Sequence, residues 1–123
     1  MKRIIALLLA VLMLFAVASC GNNAAKTDVE AVKAAGKLVV GMTVYEPMNY
    51  KDANGEWTGF DTEFAQAVGE ILDVDVEFIE ISWEAKETEL ASKNIDVLWN
   101  GMCITEERKE MWEVTAPYMY NTQ

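Results

Sequence analysis

The chain has 123 residues, 52% of them hydrophobic, with ten Lys and Arg against twenty Asp and Glu and a net charge of −10. So acidic a chain argues against nucleic acid and against a basic lipid-binding patch. It holds no histidine, which excludes histidine acid–base chemistry and histidine metal sites, and its acidic residues show no calcium-loop spacing, so no metal or other cofactor is expected.

Met1-Lys2-Arg3 is a short basic region, Ile4 to Val17 is an almost unbroken apolar run, and Val17-Ala18-Ser19-Cys20 ends in small residues and a cysteine. This is the layout of a secretory signal peptide over residues 1–19. The apolar run is shorter than the roughly 20 residues that a spanning helix needs. The small residues before Cys20 resemble a bacterial lipobox. That implies cleavage before Cys20 and a lipid on its thiol, anchoring the mature protein to the cell membrane from outside. An ordinary cleaved signal, with Cys20 incidental, is the alternative. Residues 20–27 then form a small, polar tether. Loss of Lys2 and Arg3 takes the ten basic residues to eight and the net charge from −10 to −12. Only Cys103 remains beside Cys20, so no intramolecular disulfide is expected.

Residues 28–123 have the length of one small domain. Asp28 to Ala35 has helical spacing and Gly36 supplies its stop. Leu38 to Met42 is a continuous apolar run, the pattern of a strand covered on both faces. In the loop from Val44 to Thr58, Asn54-Gly55 signals a turn between Tyr50-Lys51 and Trp57-Thr58. Asp61 is expected to cap a helix from Thr62 to Leu72 whose apolar stripe is Phe60, Phe64, Val68, Ile71 and Leu72. Val74 to Ile81 alternates like a strand. Glu84 to Ser92 is a polar helix ended by Asn94, and its acids form a solvated face. Ile95 to Trp99 is a third strand, and Thr105 caps a helix to about Met111. Trp57, Trp99 and Trp112 are taken as packing residues. Helices alternating with strands imply a parallel sheet with helices on both faces. Ligands of such sheets bind beyond the carboxyl ends of the strands, here the loops 43–48, 82–84 and 100–104.

Past its first three residues the chain uses seven lysines and one arginine, Arg108. Arg is favoured over Lys where a carboxylate must be held in a fixed plane. Its place in a first helical turn opposes the helix dipole, and residues that break a local rule are candidates for function. The competing reading is a surface ion pair with a nearby Glu.

Gly36-Lys37-Leu38-Val39-Val40-Gly41, Tyr45-Glu46-Pro47-Met48, Gly59-Phe60-Asp61, Ile95-Asp96-Val97, the run from Gly101 to Arg108 and Pro117-Tyr118 follow one another in a recognisable order. Together they resemble the first lobe of the extracellular solute-binding proteins of polar amino-acid ABC importers, from about Asp28 to Gln123. The resemblance implies an α/β lobe of the type II periplasmic-binding-protein kind, three-layered and incomplete, with the second lobe absent. It implies that Arg108 binds the ligand α-carboxylate. Cys103 matches a hydroxyl residue whose backbone N–H also contributes. Asn100, Gly101 and Met102 line the ligand, with the Asn100 and Gly101 backbone meeting its amino group. Tyr45 packs on it and Trp83 contacts its side chain; by composition alone both rings could equally be core or rim aromatics.

The departures are Cys103, a weaker donor than a hydroxyl, Met48 where the family usually has Phe, Asp73 where a helix-ending Gly is usual, and an end at Gln123, where relatives cross to the second lobe. The acidic residue that meets the ligand ammonium belongs to that second lobe. The chain alone is therefore expected to bind amino acids very weakly. A monomeric, non-enzymatic partner of an ABC permease is the reading that follows. A dehydratase of cyclic amino-acid precursors on the same fold, and a receptor sensor domain, are its rivals. With no histidine to activate it, Cys103 is not expected to be a nucleophile.

Overall fold

The structure, a computed structural model, describes residues 27–120. The signal segment and Cys20 lie outside the described residues. The elements are α1 (Asp28–Ala35), β1 (Lys37–Met42), β2 (Tyr50–Lys51), β3 (Trp57–Thr58), α2 (Phe60–Leu72), β4 (Asp75–Glu80), a 3-10 turn (Trp83–Ala85), α3 (Lys86–Ala91), β5 (Val97–Leu98) and α4 (Glu106–Met111).

α1 begins with a reciprocal capping box: the Thr27 hydroxyl accepts from the Glu30 N–H at 3.2 Å, and the Glu30 carboxylate accepts from the Thr27 N–H at 2.8 Å. It ends as expected on Gly36, at φ 72°. β1 is the central strand of a parallel sheet of order β4-β1-β5. Lys37 to Met42 lie opposite Asp75 to Glu80 on one side, and Val40 and Gly41 lie opposite Val97 and Leu98 on the other. A strand paired on both edges leaves its apolar run for the two faces. Leu38 and Val40 join Val32 of α1 and Ala65 of α2 in the core, packed by Val76, Phe78, Val97 and Trp99 among others. Gly41 faces the other way and lies beneath Ile95, whose side chain occupies the place of a Cβ at residue 41. The chain is thus an α/β lobe with a parallel sheet, as expected. The antiparallel pair β2–β3 stands apart from that sheet. Its turn is organised by Asp52, whose carboxylate accepts from the N–H groups of Asn54 and Glu56 at 2.8 and 2.9 Å.

Several expectations need correction. Asp61 is not the cap of α2. Gly59 holds that position at φ 112°, a conformation suited to glycine. A Cβ there would also strike the Met48 carbonyl. Asp61 is instead buried, and its carboxylate accepts the Tyr118 hydroxyl at 2.8 Å. The buried face of α2 is not the large apolar stripe either. Thr62, Ala65 and Gly69 are buried, whereas Ile71 is 81% exposed. A Cβ on Gly69 would run into Val76 of β4, so small residues let the helix lie close on the sheet. Finally, the third strand is Val97–Leu98 rather than Ile95 to Trp99. The Asp96 and Trp99 N–H groups still donate to the carbonyls of Val39 and Gly41 at 2.9 Å, which extends the pairing at both ends. α3 likewise starts after the 3-10 turn and stops at Ala91, and Lys93 rather than Asn94 turns the chain, at φ 57°. Asp73 adopts φ 60° after α2, the left-handed conformation that the usual Gly would adopt with less cost.

Candidate ligand-binding site

Because β1, β4 and β5 run parallel, the loops that follow them leave from one edge of the sheet. The loops after β1 and β5 are tied together first. Asn100 Nδ2 donates to the Thr43 carbonyl at 2.9 Å and to its hydroxyl at 3.0 Å. Beside this link, Gly101 lies against the Tyr45 ring, so near that a Cβ would sit 2.8 Å from Cε1. The Met102 N–H turns back to the Asn100 carbonyl. Tyr45 is 38% exposed, which removes it from the core. Its backbone bridges to Asn49, donating to the Asn49 carbonyl at 2.7 Å.

The loops after β4 and β5 meet through Arg108. Thr105 caps α4 as expected, its hydroxyl accepting from the Arg108 N–H at 3.3 Å. The Arg108 guanidinium donates through Nη1 to the Cys103 carbonyl at 2.6 Å and lies over Trp83, with Cζ 5.9 Å from the ring centroid. Three glutamates, Glu106, Glu107 and Glu110, flank Arg108 in sequence. Among the described residues it nevertheless forms no ion pair; the bridges present join Lys37 to Glu77, Lys86 to Glu87 and Lys109 to Glu106. A planar cation held by a carbonyl and an aromatic face, and unpaired with neighbouring carboxylates, retains donors for an incoming anion.

The seven expected residues therefore fall into two adjoining groups. Tyr45, Asn100 and Gly101 stand with Thr43, and Trp83, Cys103 and Arg108 form the other, with Met102 in the turn between them. Cys103 is exposed, and its carbonyl accepts from Arg108.

Sequence reasoning missed Thr43 and Lys86. The Lys86 ammonium lies 5.0 Å from the Trp83 ring centroid, and its side chain is only 14% exposed. The spacing from 83 to 86 is a helical i, i+3 pair and could have revealed the contact. The nearby Ser82 hydroxyl donates to Glu84 at 2.6 Å, and this bond first of all holds the Glu84 carboxyl below its ordinary range.

A hollow of about 420 Å³ lined by Phe60, Glu63, Phe64 and Tyr118 lies on α2. Among the described residues no cluster of acidic residues and cysteines could hold a metal ion, and no helix is long and apolar enough to cross a membrane.

The family model of the bacterial extracellular solute-binding proteins, family 3, matches residues 38–123. The L-cystine-binding protein TcyJ of Escherichia coli (strain K12) is 36% identical over 88 residues, which is 71% of this chain and 33% of that protein. The crystal structure of an ancestral cyclohexadienyl dehydratase, AncCDT-3, superposes with a TM-score of 0.72 at 32% identity, covering 77% of this chain and 40% of that one. The arginine-bound form of domain 1 from TmArgBP superposes with a TM-score of 0.62 at 34% identity, covering 65% of this chain and 64% of that domain. The chain thus spans about a third of the length of its L-cystine-binding relative.

Proposed function

We propose a function from one premise: this chain belongs to the bacterial extracellular solute-binding proteins, family 3. It is the first lobe of an amino-acid-binding protein, and Arg108 grips the α-carboxylate of the ligand. The observation that carries this reading is an arginine laid on Trp83 and pinned to the Cys103 carbonyl while the glutamates around it stay unpaired with it. Tyr45 and Trp83 supply apolar walls, and the Asn100–Gly101 backbone, which the absence of a side chain at Gly101 lets lie close against the Tyr45 ring, meets the ligand between them. The bound amino acid is handed to an ABC permease, with the chain acting as a monomer. The arginine-bound domain 1 of TmArgBP supports binding by a first lobe on its own, against the expectation of very weak binding drawn from the sequence.

Titration calorimetry of the 123-residue protein with a panel of common amino acids tests this. Saturable binding that falls about tenfold or more in Arg108→Lys is expected, because Lys cannot make the bidentate pair. Equal affinities for the two proteins would remove Arg108 from the site.

The chain is secreted, with residues 1–19 as signal, Cys20 as the lipidated anchor and 20–27 as tether. Mass spectrometry of membrane-extracted protein that finds Cys20 unmodified, or cleavage elsewhere, rejects the anchor.

A dehydratase activity is the second reading, favoured by the likeness to AncCDT-3. Glu84, the carboxylate beside Trp83, is a poor general acid because its hydrogen bond from Ser82 favours the ionised form. Turnover of prephenate or arogenate by the purified chain would establish that reading instead.

A further inference from the structure

The Trp83 ring carries two cations, Arg108 at 5.9 Å and Lys86 at 5.0 Å from its centroid. One of them is accounted for by an α-carboxylate; the other is not. Lys86 is largely covered, and its acidic neighbours Glu87 and Glu84 act on it through charge, without a hydrogen bond to its ammonium. Glu87 is 3.9 Å away, beyond a hydrogen bond, with its own side chain 57% exposed. Glu84 is engaged by Ser82 at 2.6 Å. An ammonium has three donors and no acceptor, and contact with a ring face satisfies its charge without using those donors directionally. Lys86 opens α3 directly after the 3-10 turn that carries Trp83, so its ammonium is set over the ring, where a ligand packed against Trp83 would meet it.

We propose that Lys86 is a specificity-determining residue of this site, and that the preferred ligand is an amino acid bearing a second carboxylate. This rests on Arg108 holding the α-carboxylate. Lys86 then meets the second acid group along the Trp83 face, and the same charge disfavours side chains that are themselves cationic.

The test compares titrations of the whole chain with glutamate, aspartate, cystine, glutamine and arginine. The unmodified protein is expected to bind at least one dicarboxylic amino acid more tightly than glutamine or arginine. Lys86→Met keeps the apolar stem but removes the charge. It is expected to lower the ratio of dicarboxylate to glutamine affinity by about tenfold, and Lys86→Arg is expected to restore the ratio. A residue that merely propped Trp83 would move all ligands together and leave the ratio intact. The dicarboxylate preference should also weaken with added salt. A preference for arginine, or an unchanged ratio in Lys86→Met with folding verified by circular dichroism, overturns the proposal while leaving Arg108 in place. Absence of binding to any panel member overturns both readings.

Discussion

On α2, Phe64 meets other rings: Trp99 edge-on at 5.2 Å, Tyr118 edge-on at 5.4 Å and Phe60 at 6.1 Å. At the strand ends, Trp83 meets two cations instead. Rings that pack on rings keep part of their own surface exposed but bury the polar group that lies among them, here Asp61. Rings that carry cations hold charge at the strand ends, where a ligand can meet it. The same residue class thus serves cohesion in one region and presentation in the other, and the neighbours decide which.

The contrast can be broken most sharply at Phe64. Phe64→Ala removes three ring contacts, and because the side chain is 37% exposed, the loss should be about 2–3 kcal/mol, at or below the low end for a buried Phe. Urea unfolding should show this, with amino-acid affinity of the folded protein unchanged. A loss under about 1 kcal/mol would mean the cluster contributes little cohesion.

Thr105→Ala probes the other region. Removing the cap of α4 should cost about 1 kcal/mol or less of global stability. It should nonetheless lower ligand affinity, because Arg108 leaves that first turn. Calorimetry and urea unfolding on the same variant separate the two effects, and unchanged affinity would show that Arg108 is positioned without the cap.

The smallest effect concerns Asp61. Burial raises its folded pKa above the ordinary 3.8, partly opposed by the hydrogen bond from Tyr118. The folded state therefore binds more protons than the unfolded state above pH 3.8. The stability from this group is fully present below that value and is lost as pH rises through the raised pKa. Asp61→Asn should flatten that part of the profile of urea midpoint against pH. An unchanged slope would mean that another group titrates there. The same burial, first of all, raises the Tyr118 hydroxyl pKa, reinforced by Asp61.

Much of this was legible in the chain. The continuous run Leu38 to Met42 is a strand paired on both edges, and a lone arginine behind Thr105 is where the strand-end loops meet. The misreadings have separate physical causes. Hydropathy looks for large apolar residues, but α2 lies on the sheet through Thr62, Ala65 and Gly69, where close approach matters more than side-chain size. Asp61 looked like a cap because aspartates often are caps, whereas Gly59, at a positive φ, takes the role by backbone freedom alone. Lys86 is marked by its i, i+3 spacing from Trp83 but by nothing in composition, because Trp83 lies in a 3-10 turn and Lys86 begins the helix that follows.

The order of the sheet also governs when this chain can begin to fold. β1 is synthesised first of the strands but sits in the middle, where Lys37 must wait for Asp75 and Val40 for Val97. At a synthesis rate of about 5–20 residues per second, the central strand stays without partners for seconds after it emerges. Its pairings are long-range, which also slows folding once the chain is complete. A secretion machine that threads unfolded polypeptide would find this lobe still open during that interval.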